Sequence, residues 1–268
     1  MCNSNATNTD KSINEQIKEM FDEIFNDEFK KDNELEGQFI EYDGLVDEKE
    51  YQKQDLKVAF LLKDVNDEDS KGNCSLVKWL GSLKTKYKEN SWENKKEEKS
   101  WQQTWLNVCY WCEILKNLNA NFIRAYNKEI TALLKNLDDI AIVNIKKTNG
   151  GSKSIYKELE GAVKLYGKST IKEIEELIQP RLVICCGTFD LAQMLVQIKR
   201  NKDDYESVTV QTTTLPSGAK YFIEDGIYYL KFVHPAWYTV NKNILFAYAK
   251  VTFAKILSKI KNTSCIDK

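Results

Sequence analysis

The sequence predicts an α/β protein of three layers, in which helices cover both faces of a central, mostly parallel sheet. Short, continuous apolar runs alternate along the chain with segments of helical periodicity, and this alternation is typical of buried parallel strands joined by helices. The chain has 268 residues, of which 42% are hydrophobic. That length and composition suit one large domain with a sizeable core.

Four apolar runs predict the buried strands. They are residues 56–62 (LKVAFLL), 140–145 (IAIVNI), 182–186 (LVICC) and 227–233 (IYYLKFV). Apolar residues at helical spacing predict helices over residues 12–27, 75–89, 101–136 (with a break near 117–121), 154–178, 190–199 and 242–261. More exposed strands are expected at 208–213 and 220–224, and Asp225-Gly226 predicts a hairpin turn.

The chain divides into two regions at the level of composition. Residues 1–55 read as an acidic N-terminal tail with one amphipathic helix, and residues 56–262 as the α/β domain. The polar start of the chain has no secretory signal, and no run of 18 apolar residues exists that could cross a membrane. Seven cysteines, an odd number, indicate no disulfide framework. We therefore expect a cytoplasmic protein with no membrane partner.

The charge balance excludes a basic coat over the whole protein. Lys plus Arg number 39 and Asp plus Glu number 40, which gives a net charge of −1. Acidic residues are dense in residues 10–70, however, and lysines are dense in residues 143–153 and 241–261, so a local basic face for nucleic acid is compatible with the total. The glycine motifs of dinucleotide and nucleoside-triphosphate sites are absent.

Polar residues follow each predicted strand, at the edge where parallel sheets place their ligands. His234 is the only histidine; it is either a satisfied structural residue or a functional group fixed by the following proline. Asn144 either ties two loops together or reads the edge of a base. Asp64 either caps the next turn or positions a water.

Three further features have a simple structural interpretation beside a functional one. Cys109 and Cys112 have the spacing of a metal pair, but no second pair or histidine is nearby, which favours buried thiols. The tryptophans of residues 101–111 are core residues or a base-stacking platform. The loop of residues 146–153 (KKTNGGSK) is a solvated loop or a phosphate contact.

Taken in chain order, the four strand ends resemble the motifs of the uracil-DNA glycosylase superfamily. The first strand of that family ends in Gly-Glu/Gln/Met-x-Pro, and VAFLLKDVND stands at that place here. The second motif reads hydrophobic-Thr-Asn-hydrophobic-Val-Lys, for which this chain has IVNIKK. PRLVICCG is similar to the third motif, and FVHPAW to the final His-Pro-Ser. The resemblance covers about residues 56–258.

The resemblance implies a role for each matching residue. Asn144 corresponds to the asparagine that reads the flipped pyrimidine, and His234 to the histidine that stabilises negative charge on the base O2. Asp64 corresponds to the polar residue that handles the attacking water, with Asn66 as the competing choice. The residues expected to contact DNA are Lys146, Lys147, Gly187, and the wedge loop residues Trp237 and Tyr238.

The implied activity is hydrolysis of the N-glycosidic bond of uracil or another modified base in single- or double-stranded DNA, without a metal or other cofactor. Two features favour an alternative: the net charge is close to neutral, and the first motif is eroded, with Lys63 in place of its glycine. Ala236 also departs from the family pattern, in place of the last-motif serine. That alternative is a catalytically inactive member of the same fold, which binds a nucleic acid, a nucleotide or a protein partner. A flavodoxin-like or nucleoside-handling enzyme is a third hypothesis, disfavoured by the missing phosphate-binding glycines.

Overall fold

The computed structural model describes residues 11–29, 39–66, 74–88, 98–120, 130–150, 154–200, 209–236 and 241–264. Its helices are α1 (Ile13–Phe29), α2 (Glu48–Gln52), α3 (Leu76–Lys88), α4 (Glu98–Lys116), α5 (Ile130–Leu134), α6 (Tyr156–Lys172), α7 (Phe189–Arg200) and α8 (Lys242–Ser264). Its strands are β1 (Glu41–Tyr42), β2 (Gly44–Leu45), β3 (Val58–Leu62), β4 (Val65–Asn66), β5 (Cys74–Ser75), β6 (Ile140–Asn144), β7 (Asn149–Gly150), β8 (Leu182–Cys186), β9 (Thr213–Thr214), β10 (Lys220–Glu224) and β11 (Ile227–Phe232).

The central sheet has seven strands in the order β2-β6-β3-β8-β11-β10-β9. The four strands in its middle, β6, β3, β8 and β11, are parallel to one another. Strands β2, β10 and β9 pair antiparallel to their neighbours at the two sides. The prediction of a central, mostly parallel sheet flanked by helices is therefore confirmed, and the four middle strands are the four apolar runs.

The alternation of side chains in β3 divides the core between the two faces of the sheet. Phe60 packs in a cluster with Trp111 of α4 and Phe253 of α8. Leu61 points to the other face, into a cluster with residues of α1, α6 and α7. Both faces are thus covered by helices.

The N-terminal region packs into the same core as the rest of the chain. Phe21 and Phe25 of α1 are buried, and both lie beside the Tyr166 ring of α6. Strand β2 belongs to the central sheet. Residues 39–55 were assigned from their composition to the acidic N-terminal region, but they contain β1, β2 and α2. The residues described on either side of position 56 therefore form one packed unit.

The turn between β10 and β11 has the predicted hairpin geometry. Asp225 and Gly226 have φ angles of 45° and 78°, and two successive positive φ angles define the turn that best matches the twist of paired strands. The exposed strand expected over residues 208–213 is smaller, because only Thr213–Thr214 pairs with β10. Among the described helices, none is long and apolar enough to cross a membrane.

Candidate functional site

The candidate site lies along the carboxyl edge of the four parallel strands. Asn144 is level with Leu62 on β3, and Phe232 is level with Cys186 on β8. Neighbouring strands are about 4.8 Å apart, so the ends of β6 and β11 are roughly 14 Å apart across the sheet. Asn144 and His234 therefore stand at the two sides of one row, with the ends of β3 and β8 between them.

Asn144 is the last residue of β6 and is completely buried. Its backbone N–H donates to Asp43 Oδ2, but within the described part of the chain neither its Oδ1 nor its Nδ2 has a hydrogen-bond partner. Leaving such a group unpaired costs about 1–3 kcal/mol. The alternation of β6 turns this side chain to the same sheet face as Ile142, which packs against α4. An amide held at this cost can serve as a donor and acceptor for a ligand.

His234 follows β11 and is held as a neutral imidazole. Burial, and secondly the positive charge of Lys63, lower the pKa of His234 from 6.5 to about 4. Its Nδ1 accepts a hydrogen bond of 3.1 Å from the Ala236 N–H, so the neutral ring carries its proton on Nε2. Asn107 of α4 anchors this turn from below, because its Nδ2 donates to the Pro235 carbonyl at 2.7 Å. The result is an oriented, uncharged N–H donor.

Lys63 lies beside His234. We did not predict from the sequence that these two residues are neighbours. A Cβ placed on Gly187 would be 3.5 Å from Lys63 Cε and 3.8 Å from His234 Cβ, so the three residues meet at one point. Gly187 also has φ +72°, and its N–H donates to the Phe232 carbonyl at 3.0 Å, which joins the ends of β8 and β11. A signal was present, since Lys63 directly follows the first buried strand at the same edge.

Asp64 faces the β6 side of the site rather than His234. Its Oδ1 accepts a hydrogen bond of 2.5 Å from the Ser154 hydroxyl. A Cβ on Gly150 would collide with its carboxylate, so the glycine permits the close approach. The main chains of β4 and β7 pair here, which brings Asn66 level with Gly150; of Asn66 only the main chain is described. Asp64 is therefore a half-buried, hydrogen-bonded carboxylate on the side of Asn144.

The two lysines after β6 have different surroundings. Lys146 pairs with Glu158 at 2.9 Å, with 13% of its side chain exposed. Lys147 is 1% exposed, and its Nζ lies 2.7 Å from Asp43 Oδ1 and 2.5 Å from Glu173 Oε2. The expectation that Lys147 contacts DNA is corrected by this burial, because its ammonium group is enclosed by two carboxylates and the Phe21 ring.

The buried ion cluster of Asp43, Lys147 and Glu173 lies directly behind the Asn144 main chain. Burial alone would lower the pKa of Lys147, but the two carboxylates raise it above its ordinary value. Burial and the Asp43 charge together raise the pKa of Glu173 well above its ordinary value, despite Lys147. Tyr166 Oη accepts from the Lys147 N–H at 2.7 Å. This cluster fixes the loop that leaves β6.

The cysteine pair and two of the tryptophans of α4, Trp105 and Trp111, are core residues. Cys109 and Cys112 are buried thiols within α4, and burial raises the pKa of Cys112 to about 12. Trp111 stacks on Phe60 with ring centroids 6.3 Å apart. In the described residues, no group of three or more His, Cys, Asp or Glu side chains is arranged to hold a metal ion.

A cavity of about 280 Å³ opens at the opposite, amino edge of β3 and β6. Lys116 and Asp139 line it as an ion pair, and Gln54 donates to Asp139 at 2.9 Å. Among the described residues, none of the side chains that line this cavity has a buried polar atom without a hydrogen-bond partner, in contrast to Asn144.

The wedge residues expected after the last motif, Trp237 and Tyr238, lie outside the described residues. No protein-family model matches the chain, and no curated protein matches its sequence.

Proposed function

We propose that the protein hydrolyses the N-glycosidic bond of uracil or another modified base in DNA, as a divergent member of the uracil-DNA glycosylase superfamily. The observation that supports this best is the buried Asn144 amide, which has no hydrogen-bond partner among the described residues and lies at the same sheet edge as the neutral His234. Four adjacent parallel strands bring the four motif positions to this edge in level register.

The chemistry needs a charge stabiliser at the base and a polar group at the sugar. As the bond breaks, negative charge builds on the base oxygen, and the Nε2–H of His234 donates to it. The Asn144 amide pairs with the base edge, which satisfies atoms that are otherwise buried without partners. The Asp64 carboxylate orients water and stabilises the cationic sugar.

A neutral imidazole can fill this role at neutral pH. Its proton is present at every pH above about 4, because burial and Lys63 lower the pKa of His234 to about 4. The donor is therefore ready at neutral pH without a protonation step. The base must leave the helix stack to reach it, and an inserted side chain offsets part of that cost; Trp237 and Tyr238 are the residues proposed for that insertion.

The phosphate contacts are proposed at Lys146 and Gly187. Lys146 is partly exposed beside Glu158, and Gly187 offers main chain close to Lys63 without a side chain in the way. Lys147 is not among these contacts, because it is buried.

The test is incubation with uracil-containing single- and double-stranded oligonucleotides, followed by alkaline cleavage of abasic sites. The wild type should give strand breaks. His234→Ala should lower the rate by at least ~10²-fold, as expected for a lost charge-stabilising donor, and Asn144→Asp should change or abolish base preference. No breaks across several damaged bases would reject the enzyme hypothesis.

A second candidate function is binding without catalysis. Two observations favour it. Lys147 of the basic loop is buried between two carboxylates, and the net charge is −1. Saturable binding to an oligonucleotide, with no cleavage of any damaged base, is the outcome expected for that alternative.

A further inference from the structure

Lys63 is the group of the site that hydrolysis leaves without a chemical task. It follows β3 directly and meets Gly187 and His234 at the carboxyl edge. Within the described residues, no carboxylate forms an ion pair with it, in contrast to Lys146 and Lys147. Its positive charge helps to lower the pKa of the His234 ring. A primary amine therefore lies at the same sheet edge as His234, the edge proposed to bind the flipped nucleotide.

The product of base removal supplies a matching electrophile. Once the base has left, the C1′ carbon of the abasic sugar is an aldehyde in its open form. Lysine amines form Schiff bases with carbonyl carbons. Among the described residues, a Cβ on Gly187 would lie within 4 Å of Lys63 and His234 alone, so an aldehyde bound beside the imidazole would be close to the amine.

We propose that Lys63 forms a Schiff base with the C1′ aldehyde of an abasic site and that the protein cleaves the DNA strand there by β-elimination. This inference rests on the proposed site for DNA but not on removal of a base. The amine nitrogen of Lys63, in its unprotonated form, attacks C1′ to give a carbinolamine. The carbinolamine hydroxyl takes a proton from solvent and leaves as water, and the positively charged iminium forms. The C2′ proton, made acidic by the iminium, passes to water.

The electrons of the broken C2′–H bond then form the C2′–C3′ double bond, and the C3′–O bond breaks. The departing fragment carries the 5′-phosphate, while the sugar stays bonded to Lys63 until water hydrolyses the imine. No oxidant or reductant takes part. These steps need no metal. They also do not need Asp64, whose carboxylate accepts a hydrogen bond from Ser154.

The experiment uses the full chain and a synthetic oligonucleotide with a preformed aldehydic abasic site. Sodium cyanoborohydride reduces the imine to a stable amine, so the wild type should form a covalent protein–DNA adduct on a denaturing gel. Peptide mass mapping should place the adduct at Lys63. The same oligonucleotide with a tetrahydrofuran analogue, which has no aldehyde, should give no adduct.

Two variants separate the amine from charge and folding. Lys63→Arg keeps the positive charge but cannot form the imine, and it should lower trapping at least ~10-fold. Lys57→Gln removes a lysine just before the amino end of the same strand, where its Nζ donates a hydrogen bond to Gln52. This control should leave trapping unchanged. Matching thermal melting curves would show that Lys63→Arg is folded.

Each outcome decides one of the two hypotheses. No adduct, an adduct mapped to another lysine, or full trapping by Lys63→Arg would overturn the Schiff-base proposal. Trapping on the abasic oligonucleotide without excision of uracil would reject base removal and keep this inference. Excision of uracil with strand breaks only after alkali, and with no trapping, would keep base removal and reject the Schiff-base proposal.

Discussion

His234 is the only histidine in the chain, so its titration can be followed by NMR without assignment to other residues. We expect an imidazole pKa of about 4, because burial and the Lys63 charge both lower it. Lys63→Gln should raise that pKa, since the second cause is removed. Lys57→Gln, which lies beyond the other end of β3, should leave it unchanged. A titration near 6.5 in the wild type would contradict the buried placement of the ring.

The same imidazole makes stability depend on pH. The unfolded chain takes up a proton near pH 6.5, whereas the folded protein does so only near pH 4. Stability from this group is therefore complete above pH 6.5 and is lost as pH falls towards 4, by about 1.4 kcal/mol per pH unit. Urea denaturation at pH 7 and 5 should show a smaller loss in His234→Gln than in the wild type. Equal losses would place His234 in solvent.

We expect the buried Asn144 amide to lower the free energy of unfolding. Asn144→Leu replaces an unpartnered buried amide with an apolar side chain of similar size, and we expect it to raise the free energy of unfolding by about 1–2 kcal/mol. Asn136→Leu is the matched control, because the Asn136 amide accepts from Lys116 and donates to the Cys109 carbonyl. That control should lower stability. If both variants lose stability in thermal denaturation, Asn144 has partners within the fold.

At the scale of elements, the short strand β7 depends on the absence of a side chain at Gly150. Gly150→Ala should displace the Asp64 carboxylate, lowering both stability and any glycosylase rate. Gly161→Ala, in α6 with open space around it, should instead add about 0.5–1 kcal/mol, because alanine is the better helix former. Denaturation and excision assays on both variants give the comparison. Unchanged stability and excision in Gly150→Ala would show that Asp64 is free to move.

The long elements were predictable from the sequence, whereas the short ones were not. Runs such as VAFLL and LVICC are buried on both faces, so every residue is apolar and the strand is evident. Strand β2 has two residues, Gly44 and Leu45, and its pairing with β6 depends on contacts almost 100 residues away. No local pattern reports such a contact.

The site was predictable in outline for the same reason. Parallel strands end at one edge, so the sequence could predict that Asn144, Asp64 and His234 lie along the same edge. Lys63 and Lys147 were not understood, because a lysine looks the same in sequence whether solvated or enclosed. Only the fold brings Asp43 and Glu173 to Lys147 and puts Gly187 beside Lys63.

At the scale of the whole molecule, the buried ion cluster ties the N-terminal region to the sheet. Lys147→Met leaves Asp43 and Glu173 facing each other in the core, and should cost about 3–5 kcal/mol. Lys146→Met removes a partly exposed pair with Glu158 and should cost about 0–1 kcal/mol. Urea denaturation of these adjacent substitutions measures the contrast. Similar small losses would mean that the cluster is open to water.

The sheet order also has a consequence for synthesis on the ribosome. Strand β3 lies between β6 and β8, but Val58 pairs with Ile140 and with Leu182, which are translated much later. At roughly 5–20 residues per second, the wholly apolar VAFLL segment waits on the order of ten seconds for its second neighbour. During that interval we expect chaperones that bind exposed apolar segments to bind the nascent chain. Faster translation would shorten the time for which this segment is exposed.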